Sequence, residues 1–203
     1  MMKTDITKTW IDKLKEKDAC EESLLWASEY DSAQAAWSAC ERGDWMLWAW
    51  AQNCGGKIGS ESHRRLVLCA VECAKTSVKY IKDENVKKLA AKKSLETTKR
   101  WARGEDGVTL EDVEDGIQNS TYYDTAYACR NHPAAVFAWR AYSATCSACY
   151  AVWSAAEVAD NSARSICVAL NRGVDIQDKA LKRFSDIIRT IQPKCPKFKR
   201  LTV

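Results

Sequence analysis

Apolar residues recur at helical spacing along most of the chain, and short polar or glycine-bearing breaks cut the pattern into segments. The spacing predicts a first helix over 4–16, with Trp10, Ile11 and Leu14 on one side. Asp18 is placed to cap a second, in which Leu24, Leu25 and Trp26 supply apolar contacts. Asp31, with Gln34 after it, resembles a capping box and opens a short third helix that ends near Glu41. Gly43 then breaks the chain, and Asp44 caps a fourth helix running to about Asn53, before Gly55-Gly56.

Ser60 starts a long fifth helix, in which Leu66, Cys69, Ala70, Cys73, Ser77 and Tyr80 fall on one stripe. Asp83 opens a sixth, with Val86, Ala90, Thr97 and Trp101 near one face, Arg103 at its end and Gly104 as its stop. Thr109 and Asp112 cap a seventh. From Pro133 to about Leu170 small residues predominate, interrupted by Phe137, Trp139, Tyr142, Tyr150 and Trp153, and small side chains let helix axes approach closely. A last helix over 175–192 buries Ile176, Leu181, Phe184, Ile187, Ile188 and Ile191, and Pro193 and Pro196 end it. The expected fold is all-α: one compact bundle of about seven to nine helices over residues 1–203, with a basic tail at 193–203.

Composition agrees. The 203 residues include only 8 Gly and 3 Pro, few breakers for a chain that is 46% hydrophobic. No run of 18 apolar residues occurs, and no apolar segment follows Met1-Met2-Lys3 as in a signal peptide. A cytoplasmic protein with no membrane partner is expected. Its 10 cysteines are irregularly spaced, which favours reduced thiols, mostly buried as small hydrophobes, over a disulfide framework.

The charge of +4 is mild but uneven. Ten Lys and Arg between Lys75 and Arg103 crowd one region, and Lys194, Lys197, Lys199 and Arg200 form the tail. A solvated helix face explains this as simply as an anionic partner does. A nucleic-acid polymer is not expected, because duplex binding uses a more concentrated field.

Catalytic signatures are sparse. Cys146-Ser-Ala-Cys149 resembles half a zinc site, but no second such pair follows and the only histidines are His63 and His132. His63, beside Arg64 and Arg65, reads as a polar surface residue, and His132 as a cap for the helix after Pro133. No nucleophile elbow or phosphate loop is present. No enzyme, metal or cofactor is expected.

Aromatic residues beside arginines are the distinctive chemistry. Of nine tryptophans, Trp37, Trp45, Trp48 and Trp50 surround Arg42-Gly43-Asp44. Arg65 lies near the start of the fifth helix, and Trp139-Arg140 early in the small-residue stretch. Arginine clamps phosphate through two N–H groups and indole stacks on bases. Arg42, Asp44, Trp45, Trp48, Arg65, Trp139 and Arg140 are therefore the candidate ligand contacts, in a pocket for a phosphate-bearing, base-containing molecule. In the structural alternative Asp44 caps its helix, an arginine pairs with it, and the indoles are core.

Several short blocks carry a resemblance: Ala19-Cys20, Trp26, Ala36-Trp37, Cys40-Glu41-Arg42-Gly43-Asp44-Trp45-Met46-Leu47-Trp48, Arg65-Leu66-Val67-Leu68-Cys69-Ala70, Trp101-Ala102-Arg103-Gly104-Glu105 and Ser185-Asp186-Ile187-Ile188-Arg189. Together they resemble the helical immunity-protein type carried by phages and bacteria. That resemblance implies a non-enzymatic role in phage–bacteria conflict, inside the bacterial host cell, and brings no catalytic residues with it. Two roles fit: sequestration of a small anionic, nucleotide-like immune signal, or direct inhibition of a toxin or defence protein. The basic charge favours the first, since inhibitors of nucleases face basic active sites and are expected to be acidic. A homo-oligomer is left open.

Overall fold

Leu181, Phe184 and Ile188 lie one helical turn apart on the last helix and are all buried, at the centre of the core. They face Met46, Leu47 and Trp50 of the Trp-rich helix and Leu66, Cys69 and Cys73 of the long fifth helix. Full burial of each such side chain contributes roughly 1.5–3 kcal/mol. Ile187 and Ile191, expected in the same core, are only partly buried at its edge. A computed structural model describes this arrangement for residues 6–53, 58–78, 87–118 and 174–197. Among those residues there are eight helices and no strand: α1 Ile6–Lys15, α2 Glu21–Ala27, α3 Ala33–Ala39, α4 Gly43–Ala51, α5 Glu61–Val78, α6 Lys87–Arg103, α7 Leu110–Gln118 and α8 Val174–Ile191. The protein is an all-α bundle, as its apolar spacing predicts. The small-residue stretch, with Trp139 and Arg140, lies outside the described residues.

α4, α5 and α8 pack on one another, α5 also packs on α6, and α6 on α7. On α6 the buried face is Ser94, Leu95, Thr98, Trp101 and Ala102. Thr98, rather than the expected Thr97, lies inside, and its hydroxyl donates to the Ser94 carbonyl 2.9 Å away. Glu72 of α5 joins the two helices through Lys99, 3.2 Å away, while Lys75 contacts it from its own helix at 3.3 Å. Burial alone would raise the Glu72 pKa, but these two ammonium groups outweigh it and hold the carboxyl below its ordinary value.

Three helix ends follow local expectation. The Ser60 hydroxyl accepts from the His63 N–H at the start of α5. Thr109 and Asp112 form a reciprocal capping box at α7, at 2.7 and 3.1 Å. Gly104, at φ 70°, ends α6 with a Glu105 N–H bond back to the Arg100 carbonyl.

Four expectations are corrected. Asp18 does not start α2. It sits at φ 60° and ends α1: its N–H bonds the Lys15 carbonyl, and the Ala19 N–H bonds that of Leu14. Asp tolerates this left-handed position because its short side chain bonds locally. The cap of α3 is Ser32, one residue past Asp31, accepting from the Ala35 N–H at 3.1 Å. Gly43 is the first residue of α4 rather than a break, so the N-cap falls on Arg42 and Asp44 lies in the first turn. His63 is not on the surface. It is 2% exposed, its Nδ1 accepts from the Gly59 N–H, and its ring meets the Trp101 ring edge-on at 5.9 Å. Burial lowers its pKa and keeps it neutral.

Candidate functional site

The Trp-rich block is a corner between α3 and α4, and its indoles divide into two kinds. Trp37 and Trp50 are 4% and 2% exposed. Their N–H groups donate to the Gln192 carbonyl at 3.0 Å and the Ser62 hydroxyl at 3.2 Å. Both are anchored core residues. Trp45 and Trp48 are half-buried. Trp45 sits 5.8 Å from Trp26 of α2, tilted by 57°, and Trp26 continues the cluster to Tyr30 at 4.7 Å.

The corner is pinned to α8. The Arg189 guanidinium donates to the Cys40 carbonyl at 2.6 Å, and Lys182 pairs with Glu41. Gly43 lets the two helices touch: a Cβ there would lie 2.6 Å from the Phe184 Cβ and 3.0 Å from the Leu181 carbonyl.

A cleft of about 480 Å³ opens in front of this corner. Trp10 and Leu14 of α1, Trp26 of α2, Trp37 of α3, and Trp45 and Trp48 of α4 wall it, with Cys195 beyond the end of α8. The Trp10 N–H is buried with no acceptor among the described residues. Arg42 and Asp44 line the same space. The Arg42 guanidinium makes a two-pronged bond to Asp44, Nε to Oδ1 at 3.0 Å and Nη2 to Oδ2 at 2.7 Å. Its Nη1 lies 3.5 Å from Glu22, and its carbon stands 4.4 Å above the Trp45 ring. The bond to Asp44 raises the Arg42 pKa further, against the pull of burial.

Four of the seven sequence-predicted contacts thus meet in one place: Arg42, Asp44, Trp45 and Trp48. Arg65 does not join them. It donates to the Ile191 carbonyl and serves to seat the end of α8. Trp139 and Arg140 lie outside the described residues. Sequence reasoning missed Trp10, Trp26 and Glu22. The signal was present in the four-residue spacing of Trp10 with Leu14 and of Glu22 with Trp26, which puts each pair on one helix face.

Two thiols of the cleft, Cys40 and Cys195, are held protonated. Burial pushes Cys40 up to about 11 and Cys195 up to about 12. Five cysteines are described and all are free, but Cys20 is exposed and Cys195 half-buried, against the expectation that all lie inside. The left-handed turn at Asp18 carries Cys20 out to the cleft rim.

The chain matches no family model, no curated protein and no solved structure. Among the described residues no helix is long and apolar enough to cross a membrane, and no group of His, Cys, Asp and Glu could hold a metal ion.

Proposed function

We propose that the cleft is a stoichiometric binding site, and that the protein acts by holding a ligand with a flat ring without transforming it. One observation carries this reading: five indoles converge on a single space of about 480 Å³, large enough for a nucleotide-sized molecule. Stacking on tryptophan favours a base-like ring, and the Trp10 N–H, unpartnered among the described residues, offers a bond to a ligand acceptor. The protonated state of Cys40 and Cys195 supports binding over nucleophilic chemistry, since the thiolate is the reactive form. The block on which the resemblance to immunity proteins rests forms the corner of this cleft, which supports sequestration of a nucleotide-like immune signal in phage–bacteria conflict within the bacterial cytoplasm.

The phosphate half of that ligand would meet an arginine that is already paired. Arg42 already spends its fork on Asp44, so an incoming phosphate must displace a carboxylate. A second reading, direct inhibition of a protein, draws on Leu25, which is 64% exposed on the same helix as Trp26.

Calorimetry with nucleosides, nucleotides and cyclic dinucleotides tests the first reading. Binding at equal stoichiometry is expected, with the ligand recovered intact after heat denaturation. Trp45→Ala should weaken it by roughly 1–3 kcal/mol, the scale of base–aromatic stacking. Recovery of altered ligand would overturn the reading. So would failure of every ring compound to bind while Leu25→Asp abolishes capture of one host protein, and that result would favour inhibition.

A further inference from the structure

We infer that the cleft selects a positively charged heteroaromatic ring, so that the recognised part of its ligand is a cationic ring and not a phosphate. The inference rests on the binding role proposed above and specifies its ligand.

Charge is the first argument. Among the described residues the cleft is lined by three carboxylates, Asp18, Glu22 and Asp44, against one guanidinium, Arg42. That guanidinium is matched by Asp44 and approached by Glu22. The formal charge left on the described lining residues is negative, although the whole chain is net positive at +4. Low-dielectric walls focus the field of such charge inside a concave site. An anion entering meets repulsion, and a cation meets attraction.

The aromatic walls give the second argument. An indole carries negative charge on its face and attracts a cation lying over it. The cleft already shows this preference internally, where the Arg42 guanidinium lies 4.4 Å over Trp45. Among the described residues the other stacked cation lies over Trp101, outside the cleft. Among the described residues no cation is stacked on Trp10, Trp26 or Trp48, which supply aromatic walls beside Asp18 and Glu22. A flat ring with a delocalised positive charge uses both properties at once. A neutral ring uses only stacking, and a compact ammonium ion covers little of the indole surface.

The test is a pair of ligands that differ in fixed charge and little else: 1-methylnicotinamide, a cation, and nicotinamide, its neutral parent. Calorimetry on the full chain should show the cation binding at least tenfold tighter at low ionic strength, with the ratio shrinking as salt is added. A 5′-phosphate on the ribosyl derivative of the cationic ring should give no gain over the unphosphorylated nucleoside. Glu22→Gln should narrow the cation-to-neutral ratio several-fold. The Glu22 side chain is 73% exposed, so this variant keeps its fold, and circular dichroism checks that. Equal affinity for the two rings, or a gain from the phosphate, overturns the charge inference and leaves ring binding standing. If neither ring binds, nor any nucleoside or nucleotide, the binding role itself falls. If an arginine-bearing peptide outcompetes both rings, the ring assignment is overturned in favour of a protein side chain.

Discussion

Replacing Gly43 with alanine places a methyl group where two helices meet. The added carbon would stand 2.6 Å from the Phe184 Cβ and 3.0 Å from the Leu181 carbonyl oxygen and the Ser185 nitrogen. Carbon atoms pack best at about 3.5–4.0 Å, so the closest contact is short by about 1 Å. Two of these neighbours are backbone and the third is fixed to it, so no flexible side-chain end can swing away. α4 and α8 must separate, which loosens Met46, Leu47, Leu181 and Phe184 together. Forcing extra carbon into a packed core typically costs about 1–3 kcal/mol. Against this, alanine in a helix gains about 0.5–1 kcal/mol over glycine. The contact is rigid, so the upper end of the cost applies and the net loss should be about 2–2.5 kcal/mol. Urea unfolding should show a lower midpoint at an unchanged slope, and Tm should fall by about 2–4 °C per kcal/mol for a chain of this size. A variant as stable as the wild type, or more so, would refute the close approach of α4 to α8 and with it the geometry of the corner behind the cleft.

Other expectations follow from single groups. His63 has its pKa lowered from the ordinary 6.5 by burial, so the unfolded chain takes its proton first. Stability from this residue is intact above pH 6.5 and falls as the pH drops below it, until the folded imidazole protonates too. Urea midpoints at pH 7.5 and 5.5 should differ more in the wild type than in His63→Asn, which retains an acceptor for the Gly59 N–H; equal differences would count against the buried site. A double-mutant cycle on Arg42 and Asp44, side chains 33% and 13% exposed, should return a coupling of about 1–2 kcal/mol, between a charged hydrogen bond and a screened surface pair. A value near zero would mean that the fork does not hold in solution. Thiol alkylation at neutral pH, mapped by peptide mass, should reach Cys20 well before Cys40 and Cys195, and Cys69 and Cys73 only on unfolding. Early labelling of Cys69 would contradict the core.

Where the sequence reading succeeded, the determinants were local. Ser60, Thr109 with Asp112, and Gly104 act on backbone groups within a few residues of themselves, so their patterns can be recognised in one dimension. Asp18 and Asp44 show the limit of that logic. Aspartate serves either end of a helix, and its choice at position 18 depends on whether the chain must turn left there. At position 44 the adjacent glycine resembles a breaker, yet its purpose is contact with Phe184, far away in sequence. The burial of His63 likewise depends on Trp101 arriving from another helix. The site was half legible for the same reason. Arg42, Asp44, Trp45 and Trp48 lie within seven consecutive residues and could be grouped by eye, whereas Trp10 and Trp26 reach the cleft only through the packing of α1 and α2. Arg65 was a misleading signal: arginine near aromatics serves carbonyls at helix ends as readily as it serves ligands.

Trp10 on the first described helix and Cys195 just beyond the last one face the same cleft. Gln34 of α3 holds the segment after α8 in place, donating its amide to the Pro193 carbonyl and accepting from the Cys195 N–H at 2.8 Å. A molecule seated there would fasten α1 to the segment after α8, like a clasp on a necklace. Closing a long loop costs only slightly more entropy than closing a short one. Occupancy should therefore be visible from outside the cleft, as slower hydrogen exchange in α1 and in the segment after α8 at once.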